Sequence, residues 1–429
     1  KEELADHPDY LPIDSIGKQG IEKSYESVLR GKRGADRVEV DSRGAVKKEL
    51  GVFDPEPGSD LTLNIDADLQ KKIFDVLSAT LEKAGLAKGA AVALDPRDGS
   101  VLALVSLPSF DNNLFAGGID SSSYAGLIGD ASLPLFDRAI AGEYPPGSTI
   151  KPFLAGAALA EGVVTPSTQI ESRGGITVAG FSFGDWKAHG FTDIRHAIAV
   201  SSDVYFYSVG GGYGNIRGLG METMNAYESQ FGFGSTTGID IPGEKTGFLP
   251  TPAWKQEKLG ERWYIGDTYH ASIGQGFVLA TPIQLATATA VVANGGTLWK
   301  PRVVGQIRSR QGEMQSVAPE ALRRNVIDPS ILKTVREGMR MTVTESVGTA
   351  QSLASLPVAV AGKTGTAQFG SEKKTHGWFE SFAPYENPTI AMVVLVEGQE
   401  NEGYFAVLVT KEVLAWYFSE GKGNHREEK

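Results

Sequence analysis

Apolar and polar positions divide the chain into recognisable pieces. Asp66 through Lys83 repeats apolar residues at helical spacing, with Leu69, Ile73, Phe74 and Leu77 on one face, and so predicts an amphipathic helix. Just before it, Leu61–Ile65 alternates with the period of a strand. Ala90–Leu94 and Val101–Val105 are unbroken apolar runs joined by Asp95-Pro96-Arg97-Asp98-Gly99, a hairpin signature. Near the other end, Pro357–Ala361, Gly377–Ala383 and Thr389–Val396 read as three further strands, and Tyr404–Phe418 as an apolar helix. From about 134 to 345 the pattern is mostly helical and is broken by glycine-rich loops. Two strands at one end and three at the other predict an α+β fold (α/β in the broad sense). Its central antiparallel five-stranded sheet is built from both ends of the chain, flanked by helices and joined to a mostly helical subdomain.

The first fifty or so residues are charged and poorly periodic, apart from a helix-like piece at Ile21–Leu29. Pro55, Pro57 and Gly58 then punctuate the chain, which places a boundary between residues 1–58 and 59–429. Composition narrows the chemistry. The 429 residues include no cysteine, which excludes disulfides, thiolate nucleophiles and Cys-ligated metals. A formal net charge of −11 argues against nucleic acid as a partner. Glycine, 52 of 429 residues, exceeds the usual ~7% and points to tight turns and close backbone approaches. No run reaches the ~18 apolar residues of a membrane helix, and no signal peptide opens the chain.

Ser-x-x-Lys is a cheap pattern, and it occurs at Ser15, Ser148, Ser330, Ser371 and Ser419. Only Ser148 follows a Pro145-Pro146-Gly147 lead-in and opens an apolar helix, marked by Ile150, Phe153, Leu154 and Ala157. Pro152 is tolerated in a first turn, where its missing N–H matters least. Ser148 then lies near a helix N-terminus, with Lys151 one turn on along the same face. A lysine in apolar surroundings is disfavoured in its charged form and can act as a base toward the hydroxyl. The plainer alternative is a capping serine beside a lysine that reaches for solvent.

Two further elements shift the balance. Ser201-Ser202-Asp203 interrupts the helical pattern of Ile194–Val200 before Val204–Val209 resumes it, so a hydroxyl and a carboxylate, Ser201 and Asp203, project from a break. Capping would also explain them, and Ser109-Phe110-Asp111 matches the same short pattern. Lys363-Thr364-Gly365-Thr366 continues the Pro357–Ala361 strand, whereas the decoy Lys245-Thr246-Gly247 lies among prolines and reads as loop. On a strand, Lys363 and Gly365 share one face. Gly365 leaves room for substrate along the edge, and Lys363, Thr364 and Thr366 are available to a carboxylate. The backbone N–H groups of Ser148 and Thr366 could form an oxyanion hole.

Ser-x-x-Lys, Ser-x-Asn and Lys-Thr-Gly in this order are the motif set of β-lactamases and penicillin-binding proteins. The chain resembles class B penicillin-binding proteins of the elongation type, from about residue 60 to the late 410s. The resemblance includes Pro108-Ser109-Phe110-Asp111-Asn112-Asn113, Arg138-Ala139, Tyr144 through Pro152, Gly274-Gln275-Gly276, Lys363 through Gln368 and Trp378 through Pro384. It implies Ser148 as acyl acceptor, Lys151 as its base, Ser201 and Asp203 as the second motif, and Lys363, Thr364 and Thr366 as holders of the terminal carboxylate. Asp203 stands where many relatives carry Asn, a change frequent in the elongation branch.

The implied reaction is peptidoglycan D,D-transpeptidation. A D-Ala-D-Ala stem peptide acylates the serine and is passed to a neighbouring stem amine, and β-lactams acylate the same serine. Residues 1–58 would be the remnant of a membrane-proximal pedestal. The implied location is the extracytoplasmic face of the bacterial inner membrane, with an anchoring helix outside these residues. Implied partners are a membrane SEDS-type glycosyltransferase and elongation scaffold proteins. No cofactor is implied. Some relatives of this branch are thought to bind a metal before the second motif. Glu171, Asp185, His189 and His196 are ligands by type, but their spacing is not a metal pattern and loop residues are the preferred reading. D,D-carboxypeptidase, serine β-lactamase and a β-lactam sensor domain remain as alternatives.

Overall fold

A computed structural model describes residues 10–11, 14–369, 374–400 and 404–419. It divides into two compact units. The smaller comprises Lys1–Asn64, Ile239–Gly243 and Arg302–Ala318, and the larger Ile65–Gly238, Glu244–Pro301 and Pro319–Lys429. The smaller unit holds a hairpin of Ala35–Val40 with Val46–Phe53, and a three-stranded sheet of Met314–Ser316, Val304–Arg308 and Asp60–Leu63. The Asp240 carboxylate ties its segments together, accepting from the Val303 and Val304 backbone N–H groups at 2.6 and 2.9 Å and from the Tyr25 hydroxyl at 2.9 Å.

The larger unit is organised by the predicted five-stranded sheet. Its strands are β1 (Gly89–Leu94), β2 (Val101–Leu107), β3 (Ala361–Phe369), β4 (Lys374–Ala383) and β5 (Ile390–Gln399). Their spatial order is β3-β4-β5-β1-β2, and every neighbouring pair is antiparallel. Both faces of the central strands are covered, which explains why β1 and β5 read as unbroken apolar runs. One face carries α1 (Ala67–Lys83) and the C-terminal helix Phe405–Ser419, packed over Ala91, Ala93, Val105, Phe379, Met392 and Val394. Asp66 caps α1 by accepting from the Leu69 N–H at 3.0 Å. The buried stripe is Leu69, Ile73, Val76, Leu77 and Leu81, and the expected Phe74 stays 39% exposed because it lies at the edge of the stripe.

Against the other face lie α5 (Pro282–Asn294) and α6 (Pro329–Thr344); α2 (Lys151–Ala160) and α3 (Ile194–Val200) pack on α6, and α4 (Asp203–Gly211) packs on α2 and α3. The sequence of α5 carries no charged side chain, and the helix is buried along nearly its whole length. A Thr281/Gln284 capping box starts it and Gly295, in the left-handed region, ends it.

Two details depart from the pattern read along the chain. Pro357–Val360 is not a strand, and β3 starts at Ala361 and carries the Lys-Thr-Gly run itself. Among the described residues its outer edge pairs with no further strand, so a polar, glycine-containing sequence suffices where the inner strands need apolar runs. The stretch expected to be mostly helical also contains short ladders, Ile170–Ser172 with Gly190–Thr192, Gly175–Val178 with Phe181–Gly184, Leu298–Trp299 with Ala321–Arg323 and Val304–Arg308 with Met314–Ser316. These strands are too short to declare a period.

Candidate active site

Gly147–Ile150 forms a 3-10 turn that runs directly into α2, with Pro152 in the first turn of the helix. Ser148 is thus the second residue of the turn and not a capping residue, and its hydroxyl bonds to no described residue. The turn is held from several sides. The Gly147 N–H donates to Gly274 O at 2.8 Å, the Thr149 hydroxyl to Pro146 O at 2.7 Å, and the Trp378 indole to Pro145 O at 3.0 Å.

Gly147 has φ +56°, and a Cβ there would stand 2.6 Å from Thr366 O, while one on Gly365 would stand 2.9 Å from Pro146 O. Only glycines at both points let edge strand β3 pass this close to the serine turn. Gln275 reaches Thr366 O at 3.2 Å, so the Gly274-Gln275-Gly276 loop closes the third side.

Lys151 is fully buried. Its ammonium donates to Ser201 O at 2.8 Å, Ser201 Oγ at 3.2 Å and Asp203 Oδ1 at 2.6 Å. Lys363, also fully buried, donates to Ser201 Oγ at 2.8 Å and Thr364 O at 2.8 Å. Ser201 therefore bridges the two lysines. It takes this position because it ends α3 in the left-handed region, at φ 59°, which turns its carbonyl and hydroxyl inward. Ser202 is the residue that caps α4, leaving Ser201 and Asp203 free for the lysines. Burial and the neighbouring Lys151 charge hold the Lys363 ammonium well below the usual lysine range, against the opposing pull of Glu380 and Asp203.

Thr364 and Thr366 point to the opposite side of β3 from Lys363 and Gly365. Thr366 is exposed, and the Thr364 hydroxyl meets that of Thr349 at 2.7 Å. Nothing in the spacing signalled Thr349, which follows α6 and is brought in by packing of α6 on β3. The decoys fall elsewhere. Lys245-Thr246-Gly247 lies in a loop, and Ser330 hydrogen-bonds Asp328 at the start of α6.

Asp185 takes a part that residue type alone did not reveal. Its carboxylate accepts from Ser172 Oγ at 3.0 Å, Ser202 Oγ at 2.9 Å, the Val204 N–H at 3.1 Å and the Trp186 N–H at 3.0 Å, and His189 Nε2 lies 3.4 Å away. Burial pushes this carboxyl up, but His189, the Val204 and Asp203 N–H groups and the Lys151 charge together hold it down to about 2. Of the four residues considered as metal ligands, only Asp185 and His189 meet. Glu171 pairs with Arg173 and His196 faces Glu345. Among the described residues no group of three or more His, Asp or Glu side chains could hold a metal ion. The Asp185 oxygens are already taken by hydroxyl and N–H donors, so the set does not fit a metal.

A family model described as the penicillin-binding protein transpeptidase domain matches residues 89–415. The chain belongs to that family. A second model, the penicillin-binding protein dimerisation domain, matches residues 1–63. The chain is 37% identical, over 96% of its length, to peptidoglycan D,D-transpeptidase MrdA of Haemophilus influenzae, and spans 64% of that relative. Among solved structures it resembles PBP2 of Pseudomonas aeruginosa in complex with WCK 5153. That match has TM-score 0.78 and 36% identity, over 94% of this chain and 84% of that one. It also resembles the penicillin-binding protein PBP2 of Helicobacter pylori in complex with MreC, with TM-score 0.84 and 29% identity, over 98% of this chain and 76% of that one. The resemblance to elongation-type class B members of the family, first carried by the motifs, is borne out by these relatives.

Proposed function

We propose that the chain is the catalytic part of a peptidoglycan D,D-transpeptidase, acting through an acyl-enzyme on Ser148. The observation that carries this reading is the buried Lys151–Ser201–Lys363 chain beside the serine turn, with Asp203 as its counter-charge. Ser148 Oγ attacks the penultimate D-Ala carbonyl, and its proton passes to Lys151 Nζ, three residues on, as a proton of that lysine moves on to Ser201 Oγ. Asp203 and Ser201 hold the ammonium that results. Ser201, bonded to both lysines, relays the proton to the departing D-Ala nitrogen as its C–N bond breaks. An acceptor stem amine then attacks the ester, its N–C bond forms, the C–O bond to Ser148 breaks, and the amine proton returns to the serine.

The free edge of β3 suits an extended peptide. The N–H groups of Ser148 and Thr366 serve the developing oxyanion. Thr364 and Thr366 meet the terminal carboxylate, and the covered Lys363 contributes its field from behind them. β-Lactams would acylate Ser148 in the same way.

The test supplies a stem peptide ending in D-Ala-D-Ala together with an amine-bearing stem peptide, and analyses products by mass spectrometry. A cross-linked dimer lacking one D-Ala supports the proposal. Shortened peptide alone would make the protein a D,D-carboxypeptidase.

By kinship, the reaction takes place on the extracytoplasmic side of the bacterial inner membrane, with residues 1–58 belonging to a pedestal and 59–429 to the catalytic domain. Among the described residues no helix is long and apolar enough to cross a membrane. A scaffold protein of the MreC kind and a SEDS-type glycosyltransferase are the partners proposed. The first rests on the Helicobacter pylori complex and the second on the elongation-type resemblance.

A further inference from the structure

Directly across the ladder from Lys363, on β4, stands a carboxylate that the catalytic scheme leaves unused. In the β3–β4 register Lys363 pairs with Glu380, so the two side chains leave the sheet on the same face, with Cβ atoms about 5 Å apart. Phe379, one residue earlier, points to the opposite face and into the core under α1. Glu380 is fully covered. Its Oε2 accepts from the Thr289 hydroxyl of α5 at 2.6 Å, and its Oε1 has no hydrogen-bond partner.

A buried carboxylate with an unpartnered oxygen is costly unless a nearby charge compensates it. Among the described residues, the elements around it offer a single such charge. Helix α5 carries no ionisable side chain, and the residue opposite Glu380 on β5 is Val393. Lys363 is the charged group that acts on Glu380, while Lys151, Asp203 and Glu380 are those that act on Lys363.

We propose that Glu380 is a positioning residue: its carboxylate, seated by Thr289, is the counter-charge that keeps Lys363 protonated within the Ser148 relay. Two buried lysines then stand against two carboxylates, the part-buried Asp203 and the buried Glu380, around one serine hydroxyl. Burial pushes the Glu380 carboxyl up to about 8 and pushes Lys363 down, while the charge of each opposes the shift of the other. Removing the Glu380 charge leaves Lys363 facing Lys151 with Asp203 alone to offset it. Lys363 then loses its proton at lower pH.

This inference rests on the proposed role of Ser148 and its relay, and the experiment separates the two. The second-order rate of acylation by a fluorescent penicillin is measured across pH for wild type, Glu380→Gln and Thr289→Val. Lys363 is titrated in parallel through 13Cε-labelled lysine, its resonance identified by its loss in Lys363→Arg. In Glu380→Gln the alkaline limb of the rate profile and the Lys363 midpoint both move to lower pH, by about one unit. Thr289→Val, which leaves the carboxylate in place but unseated, moves both the same way by less. If Glu380→Gln does not fold, the Thr289→Val profile decides.

A uniform fall in rate with both midpoints unmoved would assign Glu380 a packing role and overturn the inference, leaving the function intact. A wild type that forms no adduct on Ser148 would overturn the function. The Lys363 titration would still report whether the Glu380 counter-charge exists.

Discussion

Ser201 lies between two buried ammonium groups, and its left-handed backbone is what puts it there. Replacing Lys151 by Ala removes the base and leaves Asp203 without its partner. Penicillin acylation is expected to fall on the order of 10³-fold, with Lys151→Arg giving no rescue because guanidinium does not surrender its proton. Stopped-flow acylation rates together with a thermal melt check this.

Asp185 gives a different expectation. Asp185→Asn keeps the size but loses the charge that gathers Ser172, Ser202 and the Val204 N–H. We expect acylation to fall at least tenfold with the Ser148 turn unaltered in a crystal structure, since the loss displaces the second motif only.

At this scale the sequence was informative wherever chemistry needs fixed spacing along the chain. Ser148 and Lys151 fall on one side of the turn and helix because they are three residues apart. Thr349, Glu380 and the hub role of Asp185 were invisible because their partners are supplied by sheet register and loop packing.

At the scale of elements, the site depends on how closely β3 approaches the serine turn. Gly147→Ala places a methyl group 2.6 Å from Thr366 O at a φ of +56°, so either the turn or the strand must move. A shift of about 1 Å at reacting groups can cost on the order of 10²-fold, and we expect that loss in acylation. Gly44→Ala, in the hairpin turn of the smaller unit with nothing within 4 Å of the added carbon, serves as the control and leaves the rate unchanged. The inner strands and α1 were legible because covered faces demand apolar runs or a helical stripe. Edge strand β3 was placed a few residues early, at Pro357–Ala361, because its own sequence is polar, as a substrate-facing edge requires.

For the molecule as a whole, the pH dependence of stability is set in part by a buried acid outside the Ser148 relay. Glu228, fully buried with neither carboxylate oxygen hydrogen-bonded, is pushed up to about 8 by loss of hydration. Its pKa in the folded chain exceeds the unfolded value of about 4.5, so the folded state binds the proton more tightly. Stability therefore falls as pH rises from about 4.5 to about 8 and levels off above. Glu228→Met removes this dependence. Melting temperatures of variant and wild type should diverge in favour of the variant between about pH 5 and pH 8.5. Equal differences at both ends would show that Glu228 is not titrating in this window.

The five-stranded sheet could be predicted from patterns at both chain ends. The smaller unit could not be outlined from the sequence, because Ile239–Gly243 and Arg302–Ala318 join it from far along the chain through Asp240 and strand pairing.

The central claim is that Ser148 carries the acyl group. Intact-mass spectrometry after brief exposure to a penicillin, followed by peptide mapping, tests it with Ser148→Ala alongside. The account predicts one long-lived adduct per wild-type chain, mapped to Ser148, and none on the variant. An adduct that persists in Ser148→Ala, or rapid return of the wild type to its unmodified mass with hydrolysed drug in solution, would contradict it.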